Sequence, residues 1–440
     1  MPIGSGQSGA AAIIQPLTLR GSLRCLLTFA LVAGLMVLAW LPSLQSLQTT
    51  TADQVWENYG IAQSCIAQPD QLGWMGNPTP AAEGTLFAPS LPGQWLMQSA
   101  CQLTKTSVLK PLQAYLLVGQ VLTLLLALIA CRWAGFSQNS ALLGGFLLAT
   151  APCAFSRIGH LGLAVLIPVI PVLVGCLLLQ RQMVDPRPPG GWRPSKGALV
   201  AGALAACLSV PAQDYYVVFA VLLLMATYGL VMLLATTRTL SLKALAVPAW
   251  RGAVFVMGFV AVVVLLYTPK LLLAGMPGPP ADWSAPRAAI EQFRYGLLPL
   301  TWVIASPWVN GTLEALQQAG INTGTEAYFW STGSLLIPMS WICAIRRLAL
   351  PVPQQPPAGS AARGHGLLDQ DRRFLALLLL LVSALGLLCM TMGGLGTLFA
   401  AVVTPVLRSL NRFTVFAYGA AVLYLLAEFD LWMQSRGQSS

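Results

Sequence analysis

Charge is what this sequence has least of. Only 9% of its 440 residues are Asp, Glu, Lys or Arg, 56% are hydrophobic, and the mean hydropathy is +0.70. A water-soluble globule of this length carries about a quarter of its residues charged, so that class is excluded. Strands of alternating hydrophobicity are missing as well, which excludes a membrane barrel. No small-x-small cleavage site follows the first apolar run, so that run is expected to stay as an anchor instead of leaving as a signal peptide. No internal repeat and no basic soluble domain occur. The net charge of +10 therefore reads as a membrane-topology signal, and nucleic acid is not an expected partner.

What the chain does have is apolar stretches of about 20 residues, the length at which a helix rising 1.5 Å per residue crosses roughly 30 Å of hydrocarbon. They predict an all-α, polytopic transmembrane bundle of about ten spans: 23–42, 111–131, 139–155, 161–180, 198–212, 215–235, 253–274, 329–345, 374–391 and 413–433. The lipid bilayer is the first partner implied.

Lys and Arg set the orientation, because basic loops are retained in the cytoplasm. Arg20, Arg24, Arg132, the segment RQMVDPRPPGGWRPSK, the loop with Arg238, Lys243 and Arg251, the connector 346–373 and Arg436 all fall on one side. Both termini are expected there. The other side receives Asp53, Glu57, Asp70, Glu83, Asp214, Asp282, Glu291, Glu314 and Glu326, most of the fourteen acids. The chain then divides into a cytoplasmic tail 1–22, a transmembrane module 23–274 with a large outer loop 43–110, a second outer loop 275–328, and C-terminal helices 329–440. Connector 346–373, with PVPQQPPAGSAARGHG, reads as an unstructured linker.

Most of the nine cysteines lie in or beside apolar helices, where Cys behaves as a small buried hydrophobe. Cys65 and Cys101 share loop 43–110. They are either a disulfide in an oxidising compartment, contributing about 4 kcal/mol by loop entropy, or two separate thiols.

Loop 43–110 reads as two surface-lying helices, about 52–67 and one opened by Pro92, joined by the Gly/Pro-rich stretch GWMGNPTPAAEGTLFAPSLPG. This arrangement, with an acid just after the first helix and many spans following, resembles the GT-C superfamily of integral-membrane glycosyltransferases. The stretches DQVWENYGIAQSC, GWMGNP, FSRIGHLGLA, QDYYVVF, TGTEAYF and RSLNRF carry the resemblance. Within the superfamily it is to uncharacterised bacterial GT-C-like membrane proteins. The resemblance implies a polyprenyl-phosphate-linked sugar donor, a glycan, lipid or protein acceptor, and a bacterial inner membrane. It also implies that Asp53 serves as catalytic base or metal-binding carboxylate.

The residues themselves fit such chemistry. Glycosyl transfer needs a base for the acceptor proton, and Asp53 with Glu57 one helical turn later supplies carboxylates on one face. The same acids also suit the opening turn of a solvated helix. A lipid phosphate needs cations, and Arg408 and Arg412 in VLRSLNRF are four apart on one face; arginines also snorkel to lipid headgroups. Arg157 and His160, at the junction of two spans, suit phosphate contact, proton relay or a capping hydrogen bond. Asp214, beside Tyr215 and Tyr216, is a second carboxylate that could share Mg²⁺ or Mn²⁺ with Asp53, and Glu326 is a further acid in the second outer loop. Trp56 suits either sugar stacking or the membrane interface. The rival readings are a secondary transporter or flippase of lipid-linked sugars, and a non-catalytic membrane scaffold.

Overall fold

A computed structural model describes residues 19–46, 109–151, 154–155, 165–184, 214–238, 250, 253–262, 264–265, 333–350, 363–390, 394–402 and 413–437. Every regular element among them is a helix: α1 (Leu19–Ser46), α2 (Leu109–Ala134), α3 (Gln138–Ala149), α4 (Val169–Val184), α5 (Asp214–Arg238), α6 (Gly333–Ala349), α7 (Arg363–Met390), α8 (Leu395–Val402) and α9 (Thr414–Gly437). Four of the described helices are long and apolar enough to cross a membrane, over Cys25–Leu44, Gln113–Ala134, Arg372–Cys389 and Thr414–Met433. The shorter apolar stretches Val169–Gln180, Leu222–Leu233 and Ala253–Val262 fall within three further expected spans. The expected span 198–212, loop 275–328 and residues 47–108 of loop 43–110, with Cys65 and Cys101, lie outside the described residues.

Three boundaries differ from the hydropathy reading, each for a local reason. The span expected at 139–155 has continuous helix only to Ala149, because Pro152 disfavours helical backbone at Ala151. Twelve residues reach only about 18 Å, well short of a membrane crossing. The helix expected from 161 is preceded by non-helical residues 165–166 and starts at Val169, since Pro168 biases the residue before it out of the helical region. Conversely, α7 begins at Arg363, inside the stretch expected as linker. Its first turns are polar, so hydropathy ignores them, yet Leu, Gln and Arg are good helix formers.

Side-chain contacts fix which helix ends coincide. At one end, Trp40 of α1 donates to the carbonyl of Ala149 (2.9 Å) and Gln113 of α2 donates to the carbonyl of Leu44 (3.0 Å). Tyr418 near the start of α9 donates to the carbonyl of Leu147 (3.2 Å). Trp40 stacks on Phe155 with centroids 4.1 Å apart, and Phe219 of α5 meets Phe413 and Phe416 edge-on at 5.4 and 6.4 Å. This is the aromatic end. At the other end lie Cys25 of α1, Arg132 of α2, Ser137 before α3, Arg346 and Arg347 of α6, Arg372 of α7 and Asp430 of α9. This is the arginine end.

Helix α9 is the axis of the bundle, with 78% of its apolar window buried against 11% for α1, which lies on the outside. Such close approach needs small residues, as expected where no hydrophobic force drives apolar helices together in lipid. A Cβ added at Gly145 of α3 would meet the carbonyl oxygen of Leu124 at 2.8 Å, and one at Gly119 of α2 would meet Val165 at 2.6 Å. Gly419 of α9 likewise faces Val169 and Leu173 directly.

Candidate functional site

Asp53, Trp56, Glu57, Arg157, His160, Glu326, Arg408 and Arg412 lie outside the described residues, and of Asp214 and Tyr215 only the backbone, in the first turn of α5, is described. The described chain comes within a few residues of each candidate segment. Ser46 ends α1, Phe155 and Val165 flank the segment with Arg157 and His160, Asp214 opens α5, Gly333 opens α6, and Phe413 immediately follows Arg412. The hydrogen bonds and ring contacts above bring the α1, α3, α5 and α9 members of this set to the aromatic end. Gly333 belongs there too, since the opposite terminus of α6 meets Arg373 at the arginine end.

The polar groups described at the aromatic end serve helix termini. The last carbonyls of α3 run out of helical amides: Trp40 and Tyr418 donate to those of Ala149 and Leu147, and the Thr150 hydroxyl adds to its own amide on that of Phe146. Trp40, Phe155, Tyr115, Phe219 and Phe416 otherwise form an apolar floor, in which Trp40, Phe219 and Phe416 are fully buried. Among the described residues, no group of three or more His, Cys, Asp or Glu could hold a metal ion.

A second polar constellation, at the arginine end, was not legible in the sequence. Helix α2 closes on Gly135, whose φ of 97° suits only glycine well. Its amide bonds Arg132 O and that of Phe136 bonds Cys131 O, both at 3.0 Å, which is a Schellman closure. Ser137 then caps α3, accepting from the amide of Ser140. Asp430, 8% exposed, reaches in from α9: it accepts from the Ser137 amide (2.7 Å) and hydroxyl (2.6 Å) and from the Ser140 hydroxyl. A buried carboxylate without donors costs several kcal/mol. Here three donors at a helix N-terminus, the positive end of its dipole, hold it. Gln138 donates to Cys25 Sγ (2.8 Å) and Arg132 to the carbonyl of Phe136 (2.7 Å), so α1, α2, α3 and α9 are tied at one point. The Ser137–Ser140 spacing is a capping signal in the sequence; its partner lies far along the chain, and only the fold brings it in.

No protein-family model matches this chain, and no curated protein or solved structure does.

Proposed function

We propose that this chain is a membrane glycosyltransferase of the GT-C kind, moving a sugar from a polyprenyl-phosphate-linked donor to an acceptor on the extracytoplasmic face of a bacterial inner membrane. One observation supports the reading above others: helix ends adjoining the segments of Asp53, Arg157, His160, Asp214, Glu326, Arg408 and Arg412 share the aromatic end of the bundle. Acids and arginines that the sequence scatters over more than 350 positions thus belong to segments leaving one surface. A surface-facing site needs that; a carrier needs carboxylates near the bilayer midplane.

The same reading gives a bundle of about ten segments, with α3 short of a full crossing, and turns the arginine end toward the cytoplasm, since Arg132, Arg346, Arg347, Arg372 and Arg373 lie there. In the reaction, the carboxylate of Asp53 takes the acceptor hydroxyl proton as that oxygen bonds the anomeric carbon. The bond from that carbon to the phosphate oxygen breaks, and polyprenyl phosphate leaves with the electron pair. Arg408 and Arg412 hold the departing phosphate through their planar forks, with Arg157 and His160 as further contacts. Glu57 and Glu326 are secondary acids, and Trp56 and Tyr215 line the sugar; in the alternative in which Asp53 is a metal ligand and not the base, it and Asp214 would hold a divalent cation, Mg²⁺ or Mn²⁺, whose chemistry is charge neutralisation at that phosphate.

The test is release of polyprenyl phosphate from a polyprenyl-phosphate sugar by the purified full chain in proteoliposomes, with a bacterial envelope extract supplying the acceptor. Asp53→Asn is expected to lose turnover while still retaining labelled donor. Donor moved across the membrane without bond cleavage would establish a flippase and defeat the proposal, as would neither event in the native chain.

A further inference from the structure

Arg347, Arg372 and Arg373 meet at one corner of the arginine end, and Arg346 adjoins Arg347 on the exposed side of α6. Arg346 and Arg347 close the last turn of α6, and Arg372 and Arg373 stand where the apolar stretch of α7 begins. Arg372 pairs with Glu428 of α9. Arg373 donates Nη2 to the carbonyl of Leu350 (2.7 Å), and its Nε is buried with no hydrogen-bond partner among the described residues. Partial burial, and then the charge of Arg373 beside it, hold the pKa of Arg347 below the ordinary arginine value. Like charges held this close repel one another, which an external anion would relieve. Asp369 and Asp371 precede the pair on α7, with side chains outside the described residues.

The flank beside these charges is apolar. Ile342 and Ile345 on α6 are 68% and 57% exposed, and Leu350 at its end is exposed too. A row of guanidiniums at the rim of an exposed apolar helix face matches a molecule with a phosphate at one end and hydrocarbon at the other. Free phosphate would use the charge and ignore the flank.

We propose that this corner seats the phosphate of an anionic phospholipid headgroup, with Arg346, Arg347 and Arg373 around it and the acyl chains along the Ile342–Ile345 flank of α6. Helix termini rich in arginine at a membrane surface attract anionic headgroups by about 1 kcal/mol per residue, or roughly fivefold in affinity.

The full chain is reconstituted in nanodiscs of phosphatidylcholine with a minor fraction of phosphatidylglycerol, and lipid retained after extraction into detergent is counted by native mass spectrometry. Retained lipid should be enriched in phosphatidylglycerol by about a hundredfold, three charges at roughly fivefold each, and R346Q/R347Q should cut that enrichment about 25-fold. Arg346 is exposed, so Arg346→Gln alone guards against misfolding and should give the single step, while Arg346→Lys should keep most of the preference. Salt at about 0.5 M should weaken it in the native chain without any mutation. No enrichment in the native chain would mean that internal acids such as Asp369 neutralise the cluster, and equal enrichment in R346Q/R347Q would place the lipid elsewhere; either overturns the proposal. Full displacement of phosphatidylglycerol by millimolar inorganic phosphate would overturn the lipid assignment in favour of a free anion.

Discussion

The arginine end and the aromatic end of this bundle face the same physical difficulty, helix termini whose backbone groups lack partners at the edge of an apolar slab. At the arginine end the solution is ionic. Asp430 takes three donors at the start of α3, Glu428 takes Arg372, and Arg373 covers the carbonyl of Leu350. At the aromatic end it is neutral: Trp40, Tyr418 and Thr150 cover the end of α3, and stacked rings fill the space below. Charge used structurally is locked into closed pairs. The acids and arginines proposed for chemistry belong instead to the segments that leave the aromatic end, over a floor with little charge to compete with them. The two ends therefore predict opposite phenotypes: loss of activity without loss of stability at one, loss of stability with proportionate loss of activity at the other.

The largest expected effect is at Asp53. Asp53→Asn should lower sugar transfer by about 10³-fold, within the range general-base removal produces, and leave the thermal midpoint in nanodiscs unchanged. A midpoint falling in step with activity would make Asp53 a helix cap instead. The mirror case is Asp430→Ala, which strands the Ser137 amide and the hydroxyls of Ser137 and Ser140. It should cost about 3 kcal/mol in denaturant unfolding, with turnover per folded molecule preserved. Loss of turnover in the folded fraction would transfer a catalytic role to the arginine end.

A smaller effect is expected where helices touch. Gly145→Ala sets a methyl against the Leu124 carbonyl and should cost about 2 kcal/mol by overpacking. Gly34→Ala on the outer side of α1, with nothing within 4 Å, should be neutral or raise stability by up to about 1 kcal/mol. Equal effects at the two glycines in a thermal-shift comparison would contradict the helix contacts described. Smallest is Trp40→Phe. It keeps the ring against Phe155 and removes the hydrogen bond to Ala149, for about 1 kcal/mol by the same measurement.

How much of this was legible beforehand varies by residue. Helices α1, α2 and α9 announce themselves as uninterrupted apolar runs, and the structure extends each expected range by a few residues at one or both ends. The early end of α3 was signalled by Pro152 and outweighed by the apolar run around it. The early start of α7 was hidden because hydropathy is blind to polar helix. Asp430 could be located near the end of the last span, but nothing local to it names Ser137 or Ser140 as partners. For the candidate site, residue types were readable, and the basic and acidic loops gave an expectation of a shared side. The shared end of their helices was not, because it depends on contacts such as Tyr418 with Leu147 between segments far apart in the chain.

Composition alone made this a membrane protein of helices, since the burial of so many apolar side chains in lipid and the need to satisfy every backbone amide leave few other solutions. Which helix ends coincide, which glycines allow contact and which carboxylate closes α3 were decided only in three dimensions. The bilayer rewards apolar length in each segment separately, whereas partner choice between segments rests on a few short-range hydrogen bonds and close packings whose members the sequence keeps far apart.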